Sequence, residues 1–325
     1  MIFIYFAVII VSFFILFKCA DLFVTGACGI SDVLHIPKII TGMVFVGLAT
    51  TAPEFGVSVV SSFLGHPEYA LGNAIGSVIA DDGIAIGLAA ILAPAVIIIN
   101  CRVLRIAGLF LLGIDYIAYF LARNGTIGRL EGGFFLFLLI VYFILLYRTR
   151  IFFSDDQNGN NKCPSVQPPS SKWQQLKKPI ILFLAGIIGV VAVSRFGVVW
   201  AALHITEYFH VPEIIVGSTV IAIGTSLPEV STCITAALKG EGELAVGDII
   251  GADVLNILWI IGVSALVKPI HVRLDTINFL FPYMILMVTV MLLSMRLGCR
   301  LGKIKGLILI LLYCVFLYLT IGFFT

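Results

Sequence analysis

Two proline–glutamate pairs stand inside hydrophobic runs of this chain, Pro53–Glu54 in GLATTAPE and Pro228–Glu229 in AIGTSLPE. In hydrocarbon, a proline removes a backbone donor from a helix and an ionised glutamate is costly, so each pair needs a compensating interaction. Because neither proline can donate to the carbonyl four residues before it, we predict that a helix breaks at each pair. Carbonyl oxygens freed beside an acid are candidate ligands for a cation.

Polar side chains at helical spacing extend both pairs. Positions four residues apart share a helix face, and this spacing groups Thr50 with Glu54, Thr225 with Glu229, Ser77 with Asp81, and Ala252 with Asn256. Carboxylate, carbonyl and hydroxyl oxygens are hard ligands that suit Ca²⁺, Na⁺ or Mg²⁺, whereas zinc and copper favour His and Cys. Three acids around one divalent ion leave negative charge for which monovalent cations or protons can compete, as exchange requires. The residues therefore predict an all-oxygen cation cage.

The composition of the chain places this chemistry in a membrane. Of its 325 residues 60% are hydrophobic and 12% are charged, with a mean hydropathy of +1.13, which is typical of polytopic membrane proteins and argues against a nucleic-acid partner. The N-terminal run MIFIYFAVIIVSFFILF has neither a basic flank nor an A-x-A site, so we interpret it as a transmembrane helix rather than a signal peptide. The seven cysteines show no CxxC spacing and are interpreted as small core residues.

Segments of about 20 apolar residues can each cross a bilayer. Ten such spans are predicted at residues 2–27, 36–62, 69–97, 103–122, 130–148, 179–206, 212–237, 244–267, 274–295 and 304–323. The polar stretch SDDQNGNNKCPSVQPPSSKWQQLKK between the fifth and sixth spans predicts a linker. We therefore expect three regions in an all-α membrane protein: a first five-helix repeat at 1–148, a linker at 149–178 and a second five-helix repeat at 179–325.

The lysines and arginines of the predicted loops indicate the orientation. With the N-terminus outside, fourteen of them fall on the cytoplasmic side and four, Arg123, Arg129, Lys268 and Arg273, fall outside. Cytoplasmic loops carry an excess of Lys and Arg. We therefore expect a multi-pass protein of the inner or plasma membrane, with both termini outside and the linker in the cytoplasm.

The two halves of the sequence are related by an internal repeat. A shift of 175 residues aligns HIPKIITG with HVPEIIVG, GLATTAPE with AIGTSLPE, and GNAIGS with GDIIGA, without a gap. Over residues 35–90 and 210–265, 17 of 56 aligned residues are identical. Because each repeat contains an odd number of spans, the second enters the membrane in the opposite sense. Inverted repeats with interrupted helices at matching positions predict a secondary transporter with its site near the midplane.

At these residues the sequence resembles the cation/calcium exchanger superfamily, whose two repeats carry a G-T-S-x-P-E core and a G-N-x-x-G-S-N-x-x-[ND] core. Ten spans with a cytoplasmic linker are similar to the compact prokaryotic sodium/calcium exchangers over essentially the whole chain. The resemblance implies that the protein exchanges Ca²⁺ for Na⁺ across the lipid bilayer, with no other cofactor, and no obligatory protein partner is evident.

The resemblance also implies roles for individual residues. Glu54 and Glu229 match the central calcium ligands, and Thr50 and Thr225 lie beside them. The remaining positions match hydroxyl groups of flanking sodium sites (Thr51, Ser226, Ser77), backbone carbonyls (Gly47, Ala222) and the paired Asn/Asp position of the glycine-rich helices (Asp81, Asn256).

The sequence departs from the family pattern in several places. Asp81 and Asn256 have exchanged the acid and the amide of the paired position, and Ala252 stands where a sodium-site serine is expected. Extra acids occur in or near the cores, and their roles are left open: Asp82, Asp115, Asp248 and Asp253. Of these, Asp82 is expected on a different face from Asp81, against water or a partner, and Asp115 in a structural role.

Alternatives to sodium/calcium exchange remain. The same fold could be driven by H⁺, or by K⁺ together with Na⁺, and could carry another divalent cation. Rings of acids also make cation channels. An intramembrane aspartyl protease using Asp81 or Asp115 would leave the duplicated Pro–Glu breaks without a purpose, so we expect a transporter and not an enzyme.

Overall fold

The part of the chain that the structure describes is almost entirely helical. The structure is a computed structural model, and it describes residues 2–33, 50–99, 101–153, 172–238, 240 and 242–324. The expected linker therefore lies mostly outside the described residues, as do Gly47 and the first part of the predicted second span.

The described residues of the first half form five helices, numbered α1 to α5, and two short strands. Their bounds are α1 Ile2–Val33, α2 Ala52–Leu64, α3 Pro67–Leu92, β1 Ile97–Ile98, α4 Cys101–Ala122, β2 Thr126–Ile127 and α5 Arg129–Phe153. Within α3, the α-helix Pro67–Ala80 is followed by a π-helical turn, Asp81–Ala85, and by a second α-helical part, Ile86–Leu92.

The second half repeats this order and also contains a helix, α7 (Glu213–Thr225), whose counterpart in the first half lies almost entirely outside the described residues. Helix α6 is Lys172–Val193 with a π-helical turn, Ser194–Val199, and Trp200–Phe209. The next elements are α7 Glu213–Thr225, α8 Leu227–Leu238 and α9, which comprises Gly242–Leu255, the π-helical turn Asn256–Ile260 and Ile261–Val267. The chain continues with β3 Ile270–His271, α10 Leu274–Arg296, β4 Arg300–Leu301 and α11 Lys303–Phe324.

The described helices match the predicted spans in position. Six of them are long and apolar enough to cross a membrane, and α7 with α8 forms a seventh span that is bent by 43°. Of the three other predicted spans, the first and the fifth coincide with α1 and α5, and α2 covers most of the described part of the second. The helices α3 and α9 form the interior, because 78% of their apolar stretches is buried, against 24% for α6 and 28% for α11. A helix that is apolar and buried all round belongs to the core of a bundle, whereas α6 and α11 present apolar side chains outward, as lipid contact requires.

Two small strand pairs show that the repeats are inverted. Strand β1 pairs antiparallel with β4, and β2 pairs antiparallel with β3. Since β1 precedes α4 and β2 follows it, the two pairs lie at opposite ends of that helix. Strands β1 and β3 hold equivalent places in the two repeats, each just before the fourth span. Equivalent segments therefore lie at opposite faces of the bundle.

A disulfide corrects the interpretation of the cysteines. Cys101, at the start of α4, is bonded to Cys299, which directly precedes β4, with the Cα atoms 5.5 Å apart. The two residues are 198 positions apart, so no local spacing signals the pair. The pairing of β1 with β4 brings them together. Three other described cysteines are free. Cys233 is buried, as a core residue should be, whereas Cys19 is half-buried and the exposed Cys314 shows that the interpretation as a core residue was wrong there.

Candidate cation site

The predicted helix breaks are present in both repeats. Helix α2 begins at Ala52 and α8 begins at Leu227, which are equivalent positions under the shift of 175. The residues just before them have nearly the same non-helical conformation, with φ −81° and ψ 0° at Thr51 and φ −77° and ψ 2° at Ser226. Each proline thus occupies the first turn of a new helix, where its missing N–H breaks no hydrogen bond.

The two glutamates lie in the first turns after these breaks. Both Glu54 and Glu229 are fully buried, and none of their carboxylate oxygens has a hydrogen bond of normal geometry with a described residue. Each faces hydroxyl groups of the opposite repeat: Thr225 and Ser226 lie beside Glu54, and Thr50 lies beside Glu229. The breaks of the two repeats therefore meet at one place in the interior.

A third acid shares this region. Asp81 interacts electrostatically with both Glu54 and Glu229, and the two glutamates interact with each other. Asp81 also lies beside the hydroxyl of Ser226 and is buried, with both oxygens unpaired within the described structure. Like charges buried together repel one another, so a bound cation would lower the free energy of this group.

The π-helical turns begin at the paired Asn/Asp position. Asp81 opens the turn in α3 and Asn256 opens the equivalent turn in α9, and the two turns span equivalent residues. Single π-helical turns inside α-helices occur frequently at functional sites. Asn256 is buried and its side-chain oxygen has no partner among the described residues, and the same is true of the Ser77 hydroxyl one turn before Asp81.

The sequence reasoning missed Asn73 as a member of this site. Its side-chain amide donates to the backbone oxygen of Glu54 at 3.2 Å and to the hydroxyl of Ser58 at 2.9 Å. Its oxygen accepts a hydrogen bond from the Thr225 hydroxyl at 3.1 Å. A buried asparagine therefore joins the two breaks. The available signal was its place after the first glycine of GNAIGS, where Asp248 stands in the second repeat.

Two other predicted ligands, Thr51 and Ala222, lie at or near the helix breaks. The carbonyl oxygen of Ala222 accepts hydrogen bonds from the Ser226 amide at 3.0 Å and from the Thr225 hydroxyl at 3.3 Å. This carbonyl oxygen could bind a cation only after one of these two hydrogen bonds is broken. Thr51 is buried at its break, and Ala252 is buried at the position equivalent to Ser77.

The site is not a closed metal cage in this conformation. Within the described part of the chain, no three acidic, histidine or cysteine side chains are close enough together to hold one metal ion. Glu54, Glu229 and Asp81 are thus near neighbours that a cation would have to draw together, with hydroxyl or carbonyl oxygens completing the ligand set.

Comparisons with known proteins agree with this geometry. The sequence matches the family described as Sodium/calcium exchanger protein over residues 4–148 and 178–322, once in each repeat. The Putative antiporter CaxA of Alkalimonas amylolytica is 30% identical over 315 residues, which cover 96% of this chain and 97% of the relative. The Sodium/calcium exchanger MaX1 of Methanosarcina acetivorans is 26% identical over 345 residues, with coverage of 96% and 97%.

The fold is also similar to a solved structure. The sodium-calcium exchanger NCX_Mj, soaked with Na⁺ and Sr²⁺, matches with a TM-score of 0.63 and 23% identity, and the match covers 97% of this chain and 98% of that chain. Two family matches in one chain, with the observed inversion, exclude the enzyme alternative. The chain belongs to the sodium/calcium exchanger protein family, as a multi-pass membrane cation antiporter.

Proposed function

We propose that this antiporter exports Ca²⁺ from the cell in exchange for Na⁺, and that both ions bind in turn between Glu54 and Glu229. The observation that carries the proposal is the equivalent, fully buried placement of the two glutamates after two helix breaks. Acids placed inside a membrane protein without a partner mark an ion pathway. The relative MaX1, which is named a sodium/calcium exchanger, supports the choice of ions.

The ligand roles follow the arrangement of the breaks. Glu54 and Glu229 supply carboxylate oxygens to Ca²⁺, and Thr50 and Thr225 supply hydroxyl or carbonyl oxygens. The other positions complete the calcium site or form flanking sodium sites: Gly47, Thr51, Ser77, Asp81, Ala222, Ser226 and Asn256. Because all of these are hard oxygen donors, several Na⁺ ions can replace one Ca²⁺ at the same acids.

The helices α1 and α6 are the proposed moving pair. They pack along each other through glycines: a Cβ atom at Gly26 would lie 2.3 Å from the backbone of Phe183, and one at Gly189 would lie 2.5 Å from Cys19. Small residues permit such close approach between membrane helices. Such close packing holds α1 and α6 together, so we propose that they move as one unit relative to the other helices.

The same two helices cover the breaks. Phe13 of α1 lies against Gly224, where an added Cβ would lie 1.9 Å from its ring, and Val190 of α6 lies against Gly56, where an added Cβ would lie 2.3 Å away. A sliding movement of α1 and α6 would carry both side chains off the breaks. This would open the site to one face of the membrane and then to the other, as alternating access requires.

Transport in vesicles of defined composition tests the coupling. Purified protein in liposomes should take up ⁴⁵Ca²⁺ when an outward Na⁺ gradient is imposed, and a pH gradient alone should produce no uptake. Uptake that needs no counter-ion and does not saturate would indicate a channel and contradict the proposal.

A second candidate keeps the fold and changes the driving ion. The observation that favours it is Ala252, which is buried where Ser77 has a hydroxyl and which offers no side-chain ligand to Na⁺. In that case H⁺, or K⁺ with Na⁺, would drive the exchange. Uptake driven by a pH gradient, or uptake that needs K⁺ beside Na⁺ in the same vesicles, would support this candidate over the first.

The proposed orientation in the cell membrane is also open to a direct test. Loops that contain Gly65, Arg129 and Lys268 lie on one face, because Lys268 donates to the carbonyl of Gly65 and Arg129 donates to that of Leu266. We expect a cysteine introduced at Lys268 to react with an impermeant maleimide added outside intact cells. Labelling only after the cells are opened would reverse the assignment.

A further inference from the structure

A second group of buried acids lies beside the exchange site. Asp82 of α3, Asp115 of α4 and Asp253 of α9 are all fully buried. The carboxyl groups of Asp82 and Asp253 are close enough to interact directly, and Asp115 interacts electrostatically with both. Asp82 was expected to meet water or a partner; it is instead enclosed, and it faces an acid of the other repeat.

These acids have no compensating group in the described structure. None of the six carboxylate oxygens has a hydrogen bond of normal geometry with a described residue. The salt bridges found among the described residues, His66–Glu213 and Arg273–Asp275, involve other acids. A carboxylate that is buried without donors or a counter-charge is strongly destabilising, so these acids must either take up protons or share a cation.

A fourth helix closes the group on another side. Tyr142 of α5 is buried, its ring is stacked on Phe110 at a centroid distance of 5.1 Å, and its phenol interacts electrostatically with Asp253. The pair Asp82 and Asp253 is therefore enclosed by α3, α4, α5 and α9. A phenol oxygen next to carboxylates is one more hard oxygen donor.

The repeat relationship separates this group from the exchange machinery. Under the shift of 175 residues, the equivalents of Asp82 and Asp253 are Ile257 and Val78. Both of these apolar residues are fully buried. Apolar residues thus satisfy the packing at the equivalent place, whereas the exchange glutamates occur in both repeats. Packing alone does not explain Asp82 and Asp253.

We propose that Asp82 and Asp253 bind a second hard cation, distinct from the ions between Glu54 and Glu229. Two carboxylates are neutralised by one divalent ion, so charge balance favours Ca²⁺ over Na⁺. Since no three acidic side chains of the described residues are placed to hold one ion together, Asp115 contributes through its charge and not as a direct ligand. This second site does not depend on which ion drives exchange.

Equilibrium binding to the purified full-length protein tests the second site. The background is Glu54→Gln with Glu229→Gln, which removes the two glutamate carboxylates of the exchange site and leaves Asp81. In this background we expect a saturable ⁴⁵Ca²⁺ site. That site should be lost when Asp82→Ile and Asp253→Val are added, because these are the residues that the other repeat carries at the equivalent positions. Asp115→Val should weaken the remaining Ca²⁺ binding about tenfold, which corresponds to about 1.4 kcal/mol.

An isosteric variant and a second isotope control for misfolding and identify the bound ion. The isosteric pair Asp82→Asn and Asp253→Asn should also abolish the second site, and it provides the test if the apolar pair fails to give a monodisperse protein. ²²Na⁺ binding in the same backgrounds identifies the ion: a site that takes ²²Na⁺ and not ⁴⁵Ca²⁺ supports a second cation site but reverses the ion preference. The proposal is overturned if the Glu54→Gln, Glu229→Gln protein binds neither ion, or if its binding is unchanged when Asp82 and Asp253 are replaced.

Discussion

The Thr225 hydroxyl of the second repeat donates a hydrogen bond to the side-chain oxygen of Asn73 in the first, at 3.1 Å. Through the same side chain, Asn73 also donates to the backbone oxygen of Glu54 at 3.2 Å. The two helix breaks are thus joined by one buried amide, so the positions of the two glutamates are not set independently.

Replacing Asn73 with Ala should loosen this connection. Glu54 and Ser58 would each lose a buried hydrogen bond, whereas the Thr225 hydroxyl can still donate to the carbonyl of Ile221. An unsatisfied buried group costs about 1–3 kcal/mol. We expect a lower unfolding temperature in detergent and slower exchange in vesicles. Thr320→Val is the control, because the buried Thr320 hydroxyl donates to the carbonyl of Phe316 within its own helix. Equal effects of the two substitutions would remove Asn73 from the site.

The substitutions Glu54→Gln and Glu229→Gln should each reduce exchange to background. The two side chains hold equivalent places, and both bind the divalent ion in the proposed site, so we expect losses of similar size. Initial rates of ⁴⁵Ca²⁺ uptake in vesicles provide the measurement. The exposed Asp275, which pairs with Arg273 at 2.5 Å, supplies the control Asp275→Asn, which should leave the rate unchanged. Wild-type exchange in either glutamine variant would exclude that glutamate from transport.

The substitution Ala252→Ser should restore a hydroxyl at the position equivalent to Ser77. A side-chain oxygen there adds a hard ligand beside Asn256, so the half-saturating Na⁺ concentration should fall several-fold in vesicles. Ser77→Ala should raise it. If Ala252→Ser has no effect on the dependence on Na⁺ while Ser77→Ala has one, the two positions are not functionally equivalent.

The substitution Gly224→Ala should slow exchange. The added methyl group would overlap the ring of Phe13, and Gly56→Ala would press on Val190 in the same way. Both changes act where α1 and α6 cover the breaks, so the transport rate should decrease more than Ca²⁺ binding does. Gly113→Ala is the control, because no described atom lies within 4 Å of its added Cβ. A decrease in Ca²⁺ affinity with an unchanged rate would argue against a gating role.

In the purified, oxidised protein the disulfide between Cys101 and Cys299 should stabilise the fold; in the proposed orientation it lies at the cytoplasmic face, where thiols are kept reduced. It closes a long segment of chain, and such bonds typically contribute roughly 2–4 kcal/mol. We expect Cys101→Ser with Cys299→Ser to lower the unfolding temperature, and a reductant to lower that of the wild type but not that of the double variant. Reaction of both thiols with maleimide under non-reducing, denaturing conditions would show that the bond is not formed.

The main features of the site could be predicted from the sequence where local chemistry decides the structure. A proline cannot continue a helix, so the breaks before Pro53 and Pro228 were predictable, and the ungapped shift between the repeats fixed which residues are equivalent. Contacts between the repeats could not be predicted in this way. Asn73 meets Thr225, Asp82 meets Asp253 and Cys101 meets Cys299 only because distant helices and loops pack together.

The two strand pairs constrain how this transporter changes shape. Strand β1 is joined to β4 at one face and β2 to β3 at the other, and each pair links the first half of the chain to the second. Because a strand pair joins the two halves at each face of the membrane, the halves cannot separate by a hinge motion. The remaining eight spans should therefore act as a stationary frame, with spin labels on β1 and β4 keeping one separation throughout the transport cycle.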